Sequence, residues 1–297
     1  SVSRGLGDVY KRQADDAAVE AMRRTFDHVP FDGRVAIGEG ERDDAPMLYI
    51  GEELGSMVGA EGAPKIDIAV DPLECTNNCA DDQPNSIAVL AAAPRGTLLH
   101  APDCYMNKLA AGPALAGHVS LEGGAVYNIE QAMHVLDCEA KDVRIVALDR
   151  ERHHQLFKEI SETGAQLELL GDGDVAGAIW AAKDDGPFDM LMGVGAAPEG
   201  VISATAIRGI GGVFEGRLVF RSAQEEARAE TMVGDDLGRL WQATDLCQSE
   251  DAVFAASGVC DGYLPGVKIG ADHTTTFNEL IDVSAKTVAR NERRRPA

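Results

Sequence analysis

The sequence predicts an α/β protein of 297 residues, with an α+β N-terminal half and an α/β C-terminal half. Three observations point there. "KIDIAVD" (65–71) alternates apolar and polar residues at the period of a strand. "SIAVLAAAP" and "TLLHAP" are apolar runs separated by a short "RG" turn, the pattern of antiparallel pairing. From about residue 136 the rhythm changes to strand and helix in alternation, which favours a parallel layer. The predicted organisation is therefore an atypical N-terminal end (1–13), an α+β lobe (14–136) and an α/β lobe (137–297).

The elements follow in order. Residues 15–28, "DDAAVEAMRRTFDH", set Val19, Met22 and Phe26 at helical spacing, with Asp15 or Asp16 as N-cap. "RVAIG" (34–38) reads as a short strand, and the acidic stretch "EGERDDAP" (39–46) after it cannot be core. In "KIDIAVD" a strand puts Asp67, Ala69 and Asp71 on one face and Ile66, Ile68 and Val70 on the other. Further on, "VRIVALD", "QLELL" and "FDMLMGVGAA" read as strands between helix-like "ERHHQLFKEISETG", "DVAGAIWAAK" and "EGVISATAIRGI". After about residue 221 come an acidic helix ("AQEEARAETMVGDDLGRL"), a strand ("AVFAASGV"), a Gly-rich return and a solvated tail ("NERRRPA"). His153 and His154 read as solvated helix residues.

Composition narrows the function. No apolar run approaches 18 residues, so no membrane span is expected. With 49 acidic residues against 27 Lys and Arg, the net charge of −22 argues against nucleic acid and anionic membranes as partners. The N-terminal "SVSRGLGDVYKRQ" has basic residues but no apolar segment behind them, and six cysteines (75, 79, 104, 138, 247, 260) are scattered as in a reduced cytoplasmic protein. An anionic substrate then needs a local reversal of the field.

Four acidic stations offer one: Asp15; Glu39 with Glu41 and Asp43; Asp71 with Glu74; and Glu199. Each reads as lying at a strand end or a helix start. Such hard oxygen donors suit Mg²⁺ or Mn²⁺, and divalent ions bridged by carboxylates turn an acidic pocket into an anion receptor. A helix starting near Cys75 would aim the amides of Glu74, Cys75 and Thr76 at a phosphate. The Thr76 hydroxyl is open to polarisation by a carboxylate, for which Asp43 is the candidate.

Five segments in order, "IGEGERDDAPMLYIGEELG" (37–55), "DIAVDPLECT" (67–76), "APDCYMNKL" (101–109), "DGDVA" (172–176) and "GAAPEGVISA" (195–204), carry a resemblance. They resemble the class II fructose-1,6-bisphosphatases of the lithium-sensitive sugar and inositol phosphatase superfamily. The resemblance implies a layered α-β-α-β-α sandwich and two or more divalent ions, Mn²⁺ or Mg²⁺. It assigns Asp15, Glu39, Asp71, Glu74 and Glu199 to the metals, and Thr76 with Asp43 to water activation, with Glu41 in the same loop. Lys11 holds a catalytic spacing four residues before Asp15. Glu74, Cys75 and Thr76 would cradle the phosphate that is cut. Tyr105, the stretch Arg150, Glu151 and Arg152, the stretch Asp172, Gly173 and Asp174, and Ala196 would take the rest of the sugar bisphosphate. Guanidinium forks suit a retained phosphate, and paired carboxylates suit sugar hydroxyls.

The implied reaction is release of the 1-phosphate of fructose-1,6-bisphosphate, in gluconeogenesis, glycerol metabolism or the Calvin cycle, with sedoheptulose-1,7-bisphosphate as a second substrate in some relatives. A dimer or tetramer is expected by analogy. Two other readings stand beside it: an inositol or other sugar monophosphate phosphatase, or a catalytically impaired sugar-phosphate or metal-binding relative. Cys75 and Ala196 each replace a glycine usual in the family motif, and a side chain at the former is expected to crowd the phosphate.

Overall fold

A computed structural model describes residues 2–38 and 48–296, with side chains from residue 11 onward. The chain begins with α1 (Val2–Phe26), β1 (Asp32–Ile37), β2 (Glu53–Leu54), β3 (Lys65–Glu74), α2 (Thr76–Ala80) and β4 (Ile87–Pro94). It continues with β5 (Tyr105–Ala111), α3 (Gly124–Leu136), β6 (Arg144–Leu148), α4 (His154–Thr163), β7 (Gln166–Leu170), α5 (Asp174–Ala182), β8 (Met190–Ala196) and α6 (Ala197–Ile210). Then follow β9 (Val213–Val219), α7 (Ala223–Val233), β10 (Trp241–Gln242) and α8 (Ala243–Leu246). The last strands are β11 (Val253–Gly258), β12 (Lys268–Ile269), β13 (His273–Asp282) and β14 (Thr287–Pro296).

These elements form an α/β protein of two compact units. The first comprises Ser1–Leu98, Ser249–Asp282 and Val288–Ala297, the second Leu99–Gln248 and Val283–Thr287. In the first unit the strand order is β12-β13-β11-β4-β3-β1-β2, with β14 on β13. β3 runs parallel to β1 and antiparallel to β4, and its middle residues Ile68, Ala69 and Val70 are all buried. Val19 of α1 packs with Phe31, Val35, Leu54, Ile68 and Val70, and Met22 and Phe26 flank them. Burying each of the larger side chains contributes about 1.5–3 kcal/mol, which holds α1 on the sheet. Asp67 is buried too, and is neutralised where it lies. Arg34 donates two hydrogen bonds to it (3.0 and 2.9 Å) and the Gly96 amide a third (2.7 Å).

The second unit has the strand order β10-β9-β5-β8-β6-β7. β6 is parallel to β7 and β8, while β5 is antiparallel to β8 and β9. The expected parallel layer is thus one half of a mixed sheet. Its core gathers Leu109, Ile129, Val143, Ile145, Ile160 and Met190 from five elements and a loop.

Several expectations change. The helix expected from residue 15 begins at Val2, so Asp15 and Asp16 lie inside α1 instead of capping it. No proline interrupts the preceding residues, and the helix propagates through them. "TLLHAP" makes a single bridge at Leu98, because β4 already pairs with β3 on one edge and β11 on the other. Residue 136, at the change of rhythm, ends α3 inside the second unit. β5 draws its neighbours β8 and β9 from later sequence, and β11 to β13 return to the first unit. The tail is exposed as expected, yet it is a strand paired with β13. Among the described residues no helix is long and apolar enough to cross a membrane.

Candidate active site

In the first unit the site candidates sit where β3 ends. Its pairing with β4 slips between Asp71 and Glu74, so the strand bulges at the two acids. The Leu73 amide donates to Asp71 Oδ1 (3.0 Å), and Glu74 is buried. Cys75 then turns the chain into α2 with φ 63° and ψ 46°, in the left-handed region. An L-residue there costs about 1–2 kcal/mol that glycine avoids. The turn is braced: Ser86 Oγ donates to the Cys75 carbonyl (2.9 Å), and Thr76 Oγ1 donates to the Leu73 carbonyl (2.8 Å).

Helix α1 packs against both β3 and α2. Lys11 and Asp15, one helical turn apart on it, are both half-buried. Glu39, Glu41 and Asp43 lie outside the described residues. Among the described residues no three His, Cys, Asp or Glu side chains gather closely enough to hold a metal ion. The donor chemistry of Asp71 and Glu74 nonetheless fits a hard divalent ion, since both bring carboxylate oxygens to one bulged strand end.

In the second unit the candidates form a denser cluster. Tyr105 opens β5, and the guanidinium groups of Arg152 (4.6 Å) and Arg221 (4.7 Å) both stack on its ring. Arg152 donates from Nε and Nη2 to the Val194 carbonyl (3.1 and 2.6 Å). Arg150 donates to the Gly171 carbonyl (2.6 Å) and reaches Asp172 Oδ1 (3.2 Å). Glu151 is exposed beside them. Gly173 caps α5 with φ 94°, a conformation that needs glycine, and places Asp174 as the first helical residue.

Asp174 is buried against Lys108 of β5, with Nζ 2.6 Å from Oδ2. Burial alone would raise its carboxyl pKa. The Lys108 ammonium, a hydrogen bond shared with Glu199 and the bond from Lys108 outweigh that, so the group is held below its ordinary value. Glu199 stands in the first turn of α6, 3.8 Å from the same ammonium, where a negative charge suits the helix dipole. Ala196 caps α6 with φ −74° and ψ 143°, ordinary extended backbone.

His153 corrects the expectation of a solvated side chain. It is buried, its Nδ1 lies 2.7 Å from the Leu148 carbonyl, and its Nε2 accepts from the Val194 amide (2.7 Å). This fixes the neutral tautomer that joins the end of β6 to β8. Burial is the main reason its pKa lies below the ordinary imidazole value. The six cysteines are free thiols, Cys104 pushed up to about 12 chiefly by burial. The Cys79 thiol is pushed up by burial and by the neighbouring Cys260 thiol.

The sequence reading missed Lys108 and Arg221. Lys108 had a signal: a lysine inside the apolar "YMNKLAA" strand must either break it or find a buried acid. Arg221 follows β9 and pairs with Glu225 four residues on, a spacing the sequence shows, but its place over the Tyr105 ring is purely spatial.

Comparison with known proteins follows the same residues. The family described as "Bacterial fructose-1,6-bisphosphatase, glpX-encoded" matches residues 1–294. The chain is similar to the "D-fructose 1,6-bisphosphatase class 2/sedoheptulose 1,7-bisphosphatase" of Prochlorococcus marinus (strain NATL1A). The two are 45% identical over 297 residues, covering 95% of this chain and 87% of that protein. A protein of the same description from Parasynechococcus marenigrum (strain WH8102) is 45% identical over 289 residues, covering 93% of this chain and 85% of its own length.

Proposed function

The chain belongs to the bacterial fructose-1,6-bisphosphatase family, and from that premise we propose that it hydrolyses the 1-phosphate of fructose-1,6-bisphosphate, with sedoheptulose-1,7-bisphosphate as a second substrate. It is a phosphatase, and its family depends on divalent metal; we propose Mn²⁺ or Mg²⁺ as the ion. Asp15, Glu39, Asp71, Glu74 and Glu199 would hold the ions. When bound, they supply Lewis-acid stabilisation of oxygen charge and a nucleophilic water.

The chain's own residues do the rest. Thr76 and Asp43 take the proton from the attacking water, and the amides at 74–76 hold the phosphate in line. Water oxygen bonds to phosphorus as the bond from phosphorus to the sugar O1 breaks, giving fructose-6-phosphate and inorganic phosphate. Arg150, Arg152 and Tyr105 bind the retained phosphate, and Asp172 and Asp174 accept from the sugar hydroxyls. Glu41 and Lys11 support the first-unit acids. The same reading makes the protein a cytoplasmic homo-oligomer.

One observation carries the choice of a bisphosphate. Arg150 and Arg152 are fixed by the Gly171 and Val194 carbonyls beside the "DGD" turn, so two guanidinium groups stand ready next to hydroxyl acceptors. A monophosphate has no use for them. The test is phosphate release, with Mn²⁺ or Mg²⁺, from fructose-1,6-bisphosphate, sedoheptulose-1,7-bisphosphate and inositol-1-phosphate. The expected result is divalent-dependent turnover of the bisphosphates. Preference for inositol-1-phosphate, or silence on all three with Cys75→Gly equally silent, overturns it.

A further inference from the structure

Lys108 lies in the middle of the central run β9-β5-β8, and it is 1% exposed, among the largest side chains buried to that degree. Strand alternation puts it on the same face as Met106 and Ala110. Its Nζ meets Asp174 Oδ2 at 2.6 Å and Glu199 Oε2 at 3.8 Å, so β5, the start of α5 and the start of α6 converge on one ammonium. The backbone of β8 leaves room for this. A Cβ at Gly195 would fall 1.7 Å from Asp174 Oδ2 and 3.0 Å from Lys108 Nζ.

Such a pair is a poor way to gain stability. Desolvating two charges offsets most of their attraction, and apolar replacements of buried ion pairs are often neutral or stabilising. What the pair does supply is orientation: a buried carboxylate gripped at one oxygen by a fixed ammonium cannot rotate freely. Asp172, two residues away, is by contrast 35% exposed and meets the half-buried fork of Arg150.

We infer that Lys108 is a positioning residue for substrate recognition, holding Asp174 in the orientation that accepts from the sugar and keeping Glu199 alongside. This rests on the reading of Asp174 given above. Lys108 touches no reacting atom, so it acts through Asp174.

The experiment is a double-mutant cycle on fructose-1,6-bisphosphate hydrolysis with Lys108→Met, Asp174→Asn and the double variant, each first checked for a native circular dichroism spectrum. Removing a hydrogen bond to a charged group predicts a rise in KM of roughly tenfold for each single variant, with kcat changed less. Because one acts through the other, the double variant is expected to show the same tenfold rise. Independent effects, multiplying to about a hundredfold in the double variant, overturn the proposal. So does a lowered melting temperature with an unchanged KM in Lys108→Met, which marks a purely structural lysine. If Lys108→Met does not fold, Lys108→Gln supplies the same reading, and wild-type KM in that variant overturns it. An unchanged KM in Asp174→Asn instead sinks the assignment of Asp174, which separates the two failures.

Discussion

Cys75 and Ala196 each lead a strand into a helix, one in the first unit and one in the second, and at each the resemblance leads one to expect glycine. Their backbones differ. Cys75 sits at φ 63° and Ala196 at φ −74°. The same kind of replacement is therefore strained at one turn and ordinary at the other, and the dihedral decides which departure matters. The difference extends to the surroundings. The first-unit turn is held by bonds to its own neighbouring backbone, Thr76 to Leu73 and Ser86 to Cys75. The second-unit cluster is held across strands by Lys108, His153 and Arg152. The second-unit side chains are held by long-range bonds, whereas the first-unit turn follows the Asp71 and Glu74 bulge in a backbone conformation that disfavours its own side chain.

The largest effect expected from this contrast is in the second unit. Arg152→Ala removes a guanidinium that grips Val194 and covers Tyr105. On its proposed role of binding the retained phosphate, KM is expected to rise roughly 10–100-fold, with kcat less affected. A KM within about twofold of wild type would place the retained phosphate elsewhere.

Next comes acid stability. His153 is neutral and buried, with its pKa lowered from an unfolded value of about 6.5. Its contribution is complete above that pH. As pH falls below it the unfolded chain gains a proton that the folded one refuses, and stability falls by at most about 1.4 kcal/mol per pH unit. Urea unfolding between pH 7.5 and 5.5 should show a shallower loss in His153→Gln than in wild type; parallel curves would remove His153 from the account.

The smallest effects test the comparison itself. Cys75→Gly relieves about 1–2 kcal/mol of left-handed strain but frees the unfolded chain, so a net gain of up to about 1 kcal/mol is expected, with a few-fold faster phosphate release. Ala196→Gly relieves nothing and is expected to lose about 0.4–1 kcal/mol. Opposite signs in thermal unfolding support the contrast between the turns, and equal signs break it.

Much of this was legible in the sequence, for identifiable reasons. β3, β6, β7, α4 and α5 announced themselves because each is a short apolar or alternating run bounded by polar or turn residues. Asp71, Glu74 and Thr76 fell at a strand end followed by a helix, as read from "DPLECT". The rest depended on partners distant in sequence. β5 finds its neighbours 83 and 106 residues downstream (Leu109 with Met192 and with Glu215), so no local signal assigns residues 99–136 to the second unit. His153 read as a solvated helix residue, and the Leu148 carbonyl together with the Val194 amide, 41 residues away, makes it structural. Asp67 read only as a strand residue on the face of Asp71, and its partners Arg34 and Gly96 lie about 30 residues away in the chain.

The central claim is that Asp71 and Glu199 serve the proposed divalent-dependent hydrolysis. It is tested most directly by phosphate release from fructose-1,6-bisphosphate, with saturating Mn²⁺, in folded Asp71→Ala and Glu199→Ala variants. The account predicts that each loses at least about 10³-fold in kcat, the scale of a missing electrostatic stabiliser at the reacting centre. Turnover unchanged in either variant would contradict it.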